Sequence, residues 1–199
     1  MQNLVLFDID GTLFDPEHFG HLIRAEFIKI LNISEEDLIR ANADYYAALE
    51  TTTDFNPREI AAYIAQKFKV EQTLLDRVFW ENNQIYKDAL YKEVPNVLKK
   101  LSNSHTLGIF SQGNEELQAR KLAAADIKKY FSDEYIFIHA RKMIDEIVAE
   151  IPRDATVIDN NHDVVSKLAG FSDAVWINRK TEDADPQVRT IHNLEELLV

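Results

Sequence analysis

The sequence predicts an α/β fold in which a mostly parallel sheet carries helices on both faces. Five short runs rich in Val, Ile, Leu and Phe are typical of buried strands: NLVLFD (3–8), HTLGIF (105–110), YIFIH (135–139), ATVID (155–159) and AVWIN (174–178). Helix-compatible sequence separates these runs. Alternating strands and helices require crossover connections, which place helices over both faces of a parallel sheet. We therefore expect a Rossmann-like core of three layers.

The stretch between the first and second runs has a helical pattern throughout. Its four helix signals are an apolar periodicity over 19–31, a capping residue at Ser34, a helix-starting Pro57 and a second periodicity over 74–86. We therefore predict two domains. An all-helical domain over residues 16–90 is inserted between the first two strands of a core formed by residues 1–15 and 91–199.

Composition and charge exclude several classes of function. The chain has 199 residues, of which 46% are apolar and 28% charged, as in an ordinary globular protein. A formal net charge of −12 argues against general binding to nucleic acids or anionic membranes. The absence of cysteine excludes disulfides, thiolate chemistry and Cys-based zinc sites. The first apolar run is too short for a signal peptide or a membrane span, so we expect a cytoplasmic protein. A monomer or a homodimer is expected.

Polar side chains end three of the predicted strands. DIDGT (8–12) ends the first, SQGN (111–114) the second and DNNHD (159–163) the fourth, while Arg141 and Lys142 stand just after the third. Ligands of open parallel sheets bind beyond the carboxyl ends of the strands. We therefore expect carboxylates, a hydroxyl and a cation to converge at one edge of the sheet.

The order of these motifs resembles that of the haloacid dehalogenase superfamily along essentially the whole chain. The family pattern is a strand followed by Asp-x-Asp-x-Thr (here LVLFDIDGT), a strand ending in Ser or Thr (here LGIFSQG), a lone Lys, and a strand followed by Asp-x-x-x-Asp (here TVIDNNHD). Lys142 is the better match to the lone Lys, although Arg141 stands beside it. The helical stretch after the first motif resembles the family's helical cap.

The sequence departs from the family pattern at two positions. Ile158 occupies a place where the family usually has Gly, a residue that permits close backbone approach and so bears on the metal geometry. Met143 follows Lys142 where the family often has Pro. The short connection from Lys142 to Asp159 accommodates one helix over about 143–150.

Asp8 is the predicted nucleophile. A carboxylate is ionised at neutral pH and can attack phosphorus, giving an aspartyl phosphate that water later hydrolyses. Asp10 would protonate the leaving alcohol and then deprotonate the water. A departing halide needs no proton, so Asp10 favours phosphoryl transfer over dehalogenation. Ser111 and Lys142 would hold the phosphoryl oxygens.

Several carboxylates that meet a phosphate require a cation. Mg²⁺ fits because it prefers oxygen ligands and commonly bridges carboxylates to phosphate. The resemblance implies that Asp8 and Asp159 bind the metal through their side chains and Asp10 through its backbone carbonyl. It places Asp163 in support of the same site.

The expected activity is Mg²⁺-dependent hydrolysis of a small phosphorylated metabolite, a phosphomonoester. The residues assigned to substrate binding are Gly11, Thr12, Gln112 and Gly113 beside the motifs, and Asn56 and Arg58 in the polar stretch 50–59 of the insertion. A phosphomutase of the same superfamily would share the nucleophile. A catalytically silent relative that only binds a phosphorylated ligand or a protein is the other alternative, and the intact acid pair counts against it.

Overall fold

The computed structural model describes residues 3–50, 55–142 and 148–198. Within them, the strands form one sheet in the order β3-β2-β1-β4-β5-β6, and every neighbouring pair is parallel. These strands are β1 (Leu4–Phe7), β2 (Thr106–Gln112), β3 (Ile136–His139), β4 (Thr156–Asp159), β5 (Asp173–Ile177) and β6 (Arg189–Ile191). The predicted parallel α/β fold is confirmed. The sequence pattern missed only β6, which has three residues and begins with Arg and Thr.

Helices fill the connections between the strands. Those between β1 and β2 are α1 (Pro16–Leu31), α2 (Glu35–Ala47), α3 (Pro57–Phe68), α4 (Gln72–Trp80), α5 (Asn83–Asp88) and α6 (Val94–Leu101). Helix α7 (Glu115–Ala124) joins β2 to β3, and α8 (His162–Leu168) joins β4 to β5. The helix expected over 143–150 falls largely on residues 143–147, which lie outside the described residues. No described helix has the length and apolar character that a membrane span requires.

Capping residues set where the helices of segment 16–90 begin. Asp15 accepts hydrogen bonds from two backbone amides at the start of α1. The Ser34 side chain accepts from the amide of Asp37, as the sequence predicts, and Pro57 occupies the first turn of α3. The single helix expected over 74–86 is instead the pair α4 and α5, because Asn82 caps a new helix after Trp80.

The sheet order creates a topological switch point beside β1. The chain passes from β1 outward to β2 and β3, and then returns to place β4 on the other side of β1. Ligand sites of doubly wound sheets lie at such reversals, beyond the carboxyl ends of the strands. Phe7 pairs with Ile158, so the residues that follow them, Asp8 and Asp159, stand side by side at the ends of β1 and β4.

The segment 16–90, here called the helical insertion, packs against the core through a continuous set of buried apolar residues. Its helix α1 contacts α2, α4 and α5, and α3 contacts α2 and α4. The same buried set includes Phe7 of β1 as well as Phe19, Phe27 and Phe79 of the insertion. The insertion and the sheet therefore share apolar packing.

The two connections between the insertion and the core run beside each other. The amide of Asp15 donates to the carbonyl of Ala89 at 2.9 Å, and the amide of Tyr91 donates to the carbonyl of Leu13 at 3.1 Å. Between these bonds, Phe14 and Leu90 form an antiparallel bridge. We call residues 13–15 and 89–91 the neck.

Candidate active site

One buried lysine joins the two aspartates at the switch point. Asp8, Asp159 and Lys142 are 5%, 1% and 4% exposed. Lys142 Nζ donates to Asp8 Oδ1 at 2.7 Å and also to Asp159 Oδ2. Its backbone amide donates to Gln112 Oε1 at 3.2 Å, which fixes the chain just beyond β3. The structure thus places Lys142 at the carboxylates, whereas Arg141 is exposed.

The three buried charges do not balance. Burial raises the pKa of the Asp8 carboxyl to about 7; the Lys142 ammonium opposes this shift, and the Asp159 carboxylate adds to it. Burial alone would lower the pKa of Lys142, but the charges of Asp8 and Asp159 outweigh it and hold that pKa above its usual value. Two carboxylates share one ammonium, so the site lacks one positive charge when both are ionised.

This donor set suits a hard divalent cation. Mg²⁺ takes oxygen ligands, needs only one or two carboxylates and keeps several waters. Among the described residues, no group of three or more acidic or histidine side chains is close enough to hold a metal ion. Asp163, exposed on the first turn of α8, therefore does not join Asp8 and Asp159 as a third carboxylate. A metal here would depend on those two side chains, backbone oxygen and water.

Asp10 lies beyond the end of β1 and has a lysine of its own. Lys121 Nζ donates to Asp10 Oδ1 at 2.6 Å and to Oδ2 at 2.7 Å. Gln118 Nε2 donates to Asp10 Oδ2 at 2.8 Å and to the carbonyl of Gln112 at 3.0 Å. The Lys121 side chain is 5% exposed and that of Asp10 is 35% exposed. The acid pair of the first motif therefore has two different cationic partners.

Sequence reasoning missed Lys121 and Gln118. Helix α7 begins after the Asn114 side chain, which accepts from the amide of Leu117 at 3.0 Å. Gln118 and Lys121 are three residues apart, so they share one face of α7 and point back at the motif. A signal was present, because both positions fall in the buried stripe that Leu117 and Leu122 define.

Two backbone features shape the loops at the strand ends. Gly11 has φ +80°, and a Cβ there would stand 2.3 Å from Asn160 Nδ2, so a side chain has neither the conformation nor the space. Gly113 has φ +141° and lies against Gln118. Ile158 is fully buried in the apolar core, and its carbonyl accepts from the amide of Asp8 at 2.9 Å. Isoleucine in place of glycine therefore leaves the register of β4 beside β1 intact.

Of the remaining predicted residues, Ser111 and Thr12 lie at the strand ends, whereas Asn56 and Arg58 do not. Ser111 is 1% exposed at the end of β2, with Oγ 3.5 Å from Gln118 Nε2. Thr12 is fully buried, and its carbonyl accepts from Arg179. The structure does not bring Asn56 and Arg58 to these strand ends: the Asn56 side chain caps α3, and Arg58 pairs with Glu116 of α7 at 2.5 Å. Residues 51–54 of the polar stretch 50–59 lie outside the described residues.

A cavity of about 620 Å³ opens beside Asp10, between the helical insertion and α7. Asp10, Gln112, Gly113, Gln118 and Lys121 line its core side. Helices α1, α2, α3 and α4 line the opposite side. A ligand that reaches Asp10 from the cavity would contact both the core and the insertion.

This fold and site define a doubly wound α/β protein with paired acids at its switch point. A family model matches residues 2–155 with the description "haloacid dehalogenase-like hydrolase", and the chain belongs to that family of hydrolases.

Solved structures have the same fold over almost the whole chain. A haloacid dehalogenase-like hydrolase from Burkholderia xenovorans is 16% identical with a TM-score of 0.72, covering 100% of this chain and 96% of that one. A hydrolase of the same superfamily from Bacillus subtilis, bound to magnesium, is 19% identical with a TM-score of 0.64 (98% and 96% covered). A phosphatase from Thermococcus onnurineus is 20% identical with a TM-score of 0.59 (99% and 96% covered). A search of curated proteins gave no match.

Proposed function

We propose that this hydrolase is a Mg²⁺-dependent phosphatase that hydrolyses a small phosphomonoester through an aspartyl phosphate. The observation that carries the proposal is the division of the acid pair. Asp8 is buried at the switch point beside Lys142, whereas Asp10 lines the cavity. A nucleophile in the sheet and a proton carrier facing the leaving group are what hydrolysis of an alkyl phosphate needs.

The first step transfers the phosphoryl group to the protein. An oxygen of Asp8 attacks phosphorus, the bond from phosphorus to the leaving oxygen breaks, and Asp10 gives that oxygen a proton. Among the described residues, Asp10 Oδ1 accepts only from Lys121, whereas Oδ2 accepts from both Lys121 and Gln118. Oδ1 therefore keeps a lone pair on which to carry the proton.

The second step returns Asp8 to its starting state. Asp10 takes a proton from water, the water oxygen bonds to phosphorus, and the bond from phosphorus to Asp8 breaks to release inorganic phosphate. Lys142 holds Asp8 in place and offsets its charge, and the Ser111 hydroxyl donates to a phosphoryl oxygen. Mg²⁺ held by Asp8, Asp159 and the Asp10 carbonyl would supply the positive charge that the two buried carboxylates and the phosphate require.

Two similar structures agree with the proposal. One is described as a phosphatase and another as bound to magnesium. At 20% and 19% identity they share the fold of this chain, and the phosphatase activity and the metal are proposed for it.

The decisive experiment is a panel of phosphomonoesters assayed for phosphate release with Mg²⁺, with a chelator, and after Mg²⁺ is restored. We expect release that depends on the metal and returns with it. Chloride release from 2-chloropropionate without phosphatase activity would indicate a dehalogenase. Phosphate transfer to a second sugar phosphate without net release would indicate a mutase. No turnover of any substrate would favour the silent relative.

A further inference from the structure

The cavity beside Asp10 has mainly apolar walls on the side of the insertion. Besides Pro16 at the start of α1, six large apolar or aromatic side chains from α1 to α4 line it: Phe19, Ile23, Phe27, Tyr46, Ile60 and Phe79. The hydrogen-bonding side chains that the same helices contribute are Arg24, Asn42 and the hydroxyl of Tyr46. One Arg24 nitrogen already lies 2.8 Å from His21 Nδ1. Within the described part of the insertion, the wall therefore offers much apolar surface and few hydrogen-bonding groups.

The cavity lies where a leaving group has to be. In the proposed function the phosphoryl group is at Asp8 and the leaving oxygen is within reach of Asp10. Asp10 and Lys121 line the cavity, so the rest of the leaving group extends from Asp10 into it. At about 620 Å³, the space lies within the range of small-molecule sites, roughly 300–1,000 Å³.

Gly20 helps to keep this space open. It lies in the interior of α1 and lines the cavity, although glycine is the least favourable helix residue apart from proline. A Cβ at position 20 would meet only Arg24 Nη1 within 4 Å, at 3.4 Å. Close packing therefore does not require glycine at position 20. The absence of a side chain there adds volume to the cavity.

We infer that the leaving group of the substrate is predominantly apolar, the size of a six-carbon chain or an aromatic ring or larger, and not a sugar or polyol. This inference rests on the proposed phosphatase activity. An apolar leaving group would be removed from water against the aromatic wall, which is favourable in proportion to the area buried. A polyol would lose its hydration and find, among the described residues of that wall, Arg24, Asn42 and the Tyr46 hydroxyl for its four or more hydroxyls.

The test compares hexyl phosphate with sorbitol 6-phosphate. Both are six-carbon esters of a primary alcohol, so the chemistry at phosphorus is matched and only the hydroxyls differ. We expect kcat/KM to favour hexyl phosphate by at least about tenfold, and to rise about three- to fourfold per methylene from methyl to hexyl phosphate. Equal values, or a preference for the sorbitol ester, would overturn the inference.

A variant that fills the cavity tests whether the preference for an apolar leaving group arises there. Gly20→Leu should raise KM for hexyl phosphate by about tenfold or more, and raise KM for methyl phosphate much less. Ala25→Leu adds a similar side chain on the exposed side of the same helix and should leave the ratio of the two kcat/KM values unchanged. If Gly20→Leu also leaves the ratio of the two kcat/KM values unchanged, the leaving group lies elsewhere. Gly20→Ala is a smaller substitution at the same position.

Calorimetric binding of hexylphosphonate and methylphosphonate, neither of which can be hydrolysed, separates this inference from the proposed function. Tighter binding of the hexyl compound with no turnover of any phosphate ester would reject the phosphatase and keep the apolar preference. Turnover of phosphate esters with no preference for the hexyl compound would keep the phosphatase and reject the apolar preference.

Discussion

The two aspartates of the first motif stand two residues apart but in opposite surroundings. Asp8 is buried at the end of β1 and shares Lys142 with Asp159. Asp10 faces the cavity, is 35% exposed in its side chain, and is held by Lys121 and Gln118 of α7. The pairing of β1 with β4 fixes the position of Asp8. Asp10 is instead positioned by α7, the helix that follows β2. The motif therefore joins a fixed buried centre to a group that meets the ligand and water.

Asp8→Asn is expected to have the largest effect of the changes considered. The amide is nearly isosteric but a far weaker nucleophile, so turnover should fall by at least about 10⁴-fold, and labelling of the protein as an acyl phosphate should disappear. Steady-state assays and radiolabelled substrate measure both. Asp154→Asn changes an exposed aspartate before β4 and is the matched control. Unimpaired turnover in the Asp8 variant would refute the mechanism.

Asp10→Asn should distinguish leaving groups. Loss of the proton carrier should slow hydrolysis of an alkyl phosphate by about 10²- to 10⁴-fold, because an alkoxide cannot depart without a proton. An activated aryl phosphate such as 4-nitrophenyl phosphate needs no proton on its leaving group, so its kcat/KM, which reports the transfer to Asp8, should fall less than about tenfold. The two kcat/KM values are measured side by side, because loss of the base in the second step lowers kcat for both esters. An equal loss of kcat/KM for both substrates would assign Asp10 a structural or metal-binding role.

Lys142→Met tests the buried centre through stability. Removing the shared ammonium leaves Asp8 and Asp159 buried without a cation, so the free energy of unfolding should fall by about 3–5 kcal/mol, as when a buried pair loses one partner. Urea denaturation of the protein without metal measures it. Adding Asp8→Asn removes one of the stranded charges and should recover part of the loss. A loss below about 1 kcal/mol would mean that water reaches this centre.

Lys121→Met should lower the free energy of unfolding less than Lys142→Met does, although Lys121 is as deeply buried as Lys142. Its partner Asp10 is more than a third exposed, and solvent can replace part of the lost interaction, so we expect a loss of about 1–2 kcal/mol. The same denaturation series measures it. Lys99→Met, on the exposed face of α6, is the control. If Lys121→Met and Lys142→Met lower the free energy of unfolding equally, the contrast between the two aspartates is wrong.

Arg58→Gln should have the smallest effect. Its guanidinium is occupied by Glu116 across the boundary between the insertion and the core, and both side chains are about half exposed. KM for the best substrate should change by less than about twofold, since the group is not at the cavity wall. Kinetic assays with Arg58→Gln and Glu116→Gln check this. A selective rise in KM for the Arg58 variant would restore the substrate contact that the sequence suggested.

Much of the fold was predictable because five of the six strands lie in short runs rich in apolar residues, as is typical of a parallel sheet covered on both faces. The motif residues Asp8, Ser111 and Asp159 were predictable because they end those runs. Lys121 and Gln118 were not found, because their contacts with Asp10 depend on how α7 is rotated over the sheet. β6 escaped because Arg189 and Thr190 hide its partly buried character.

The substrate assignments at Asn56 and Arg58 were the weakest for a related reason. Helices of the insertion are placed by packing against one another, and a polar residue in one sequence does not show which side of a helix faces the ligand. Asn56 is predicted to contact the substrate, whereas its side chain accepts from the amide of Arg58 and caps the start of α3.

The neck has a consequence for how such a chain can diversify. Its hydrogen bonds bring the two ends of the insertion together, so the core meets the same closed junction whatever lies between them. Lengthening a loop whose ends already meet is cheap, because each doubling of its length adds only about 0.6 kcal/mol of closure entropy. Loops between the helices of this segment can therefore be lengthened during evolution at little cost in closure entropy, while the strands that carry Asp8 and Asp159 keep their alignment.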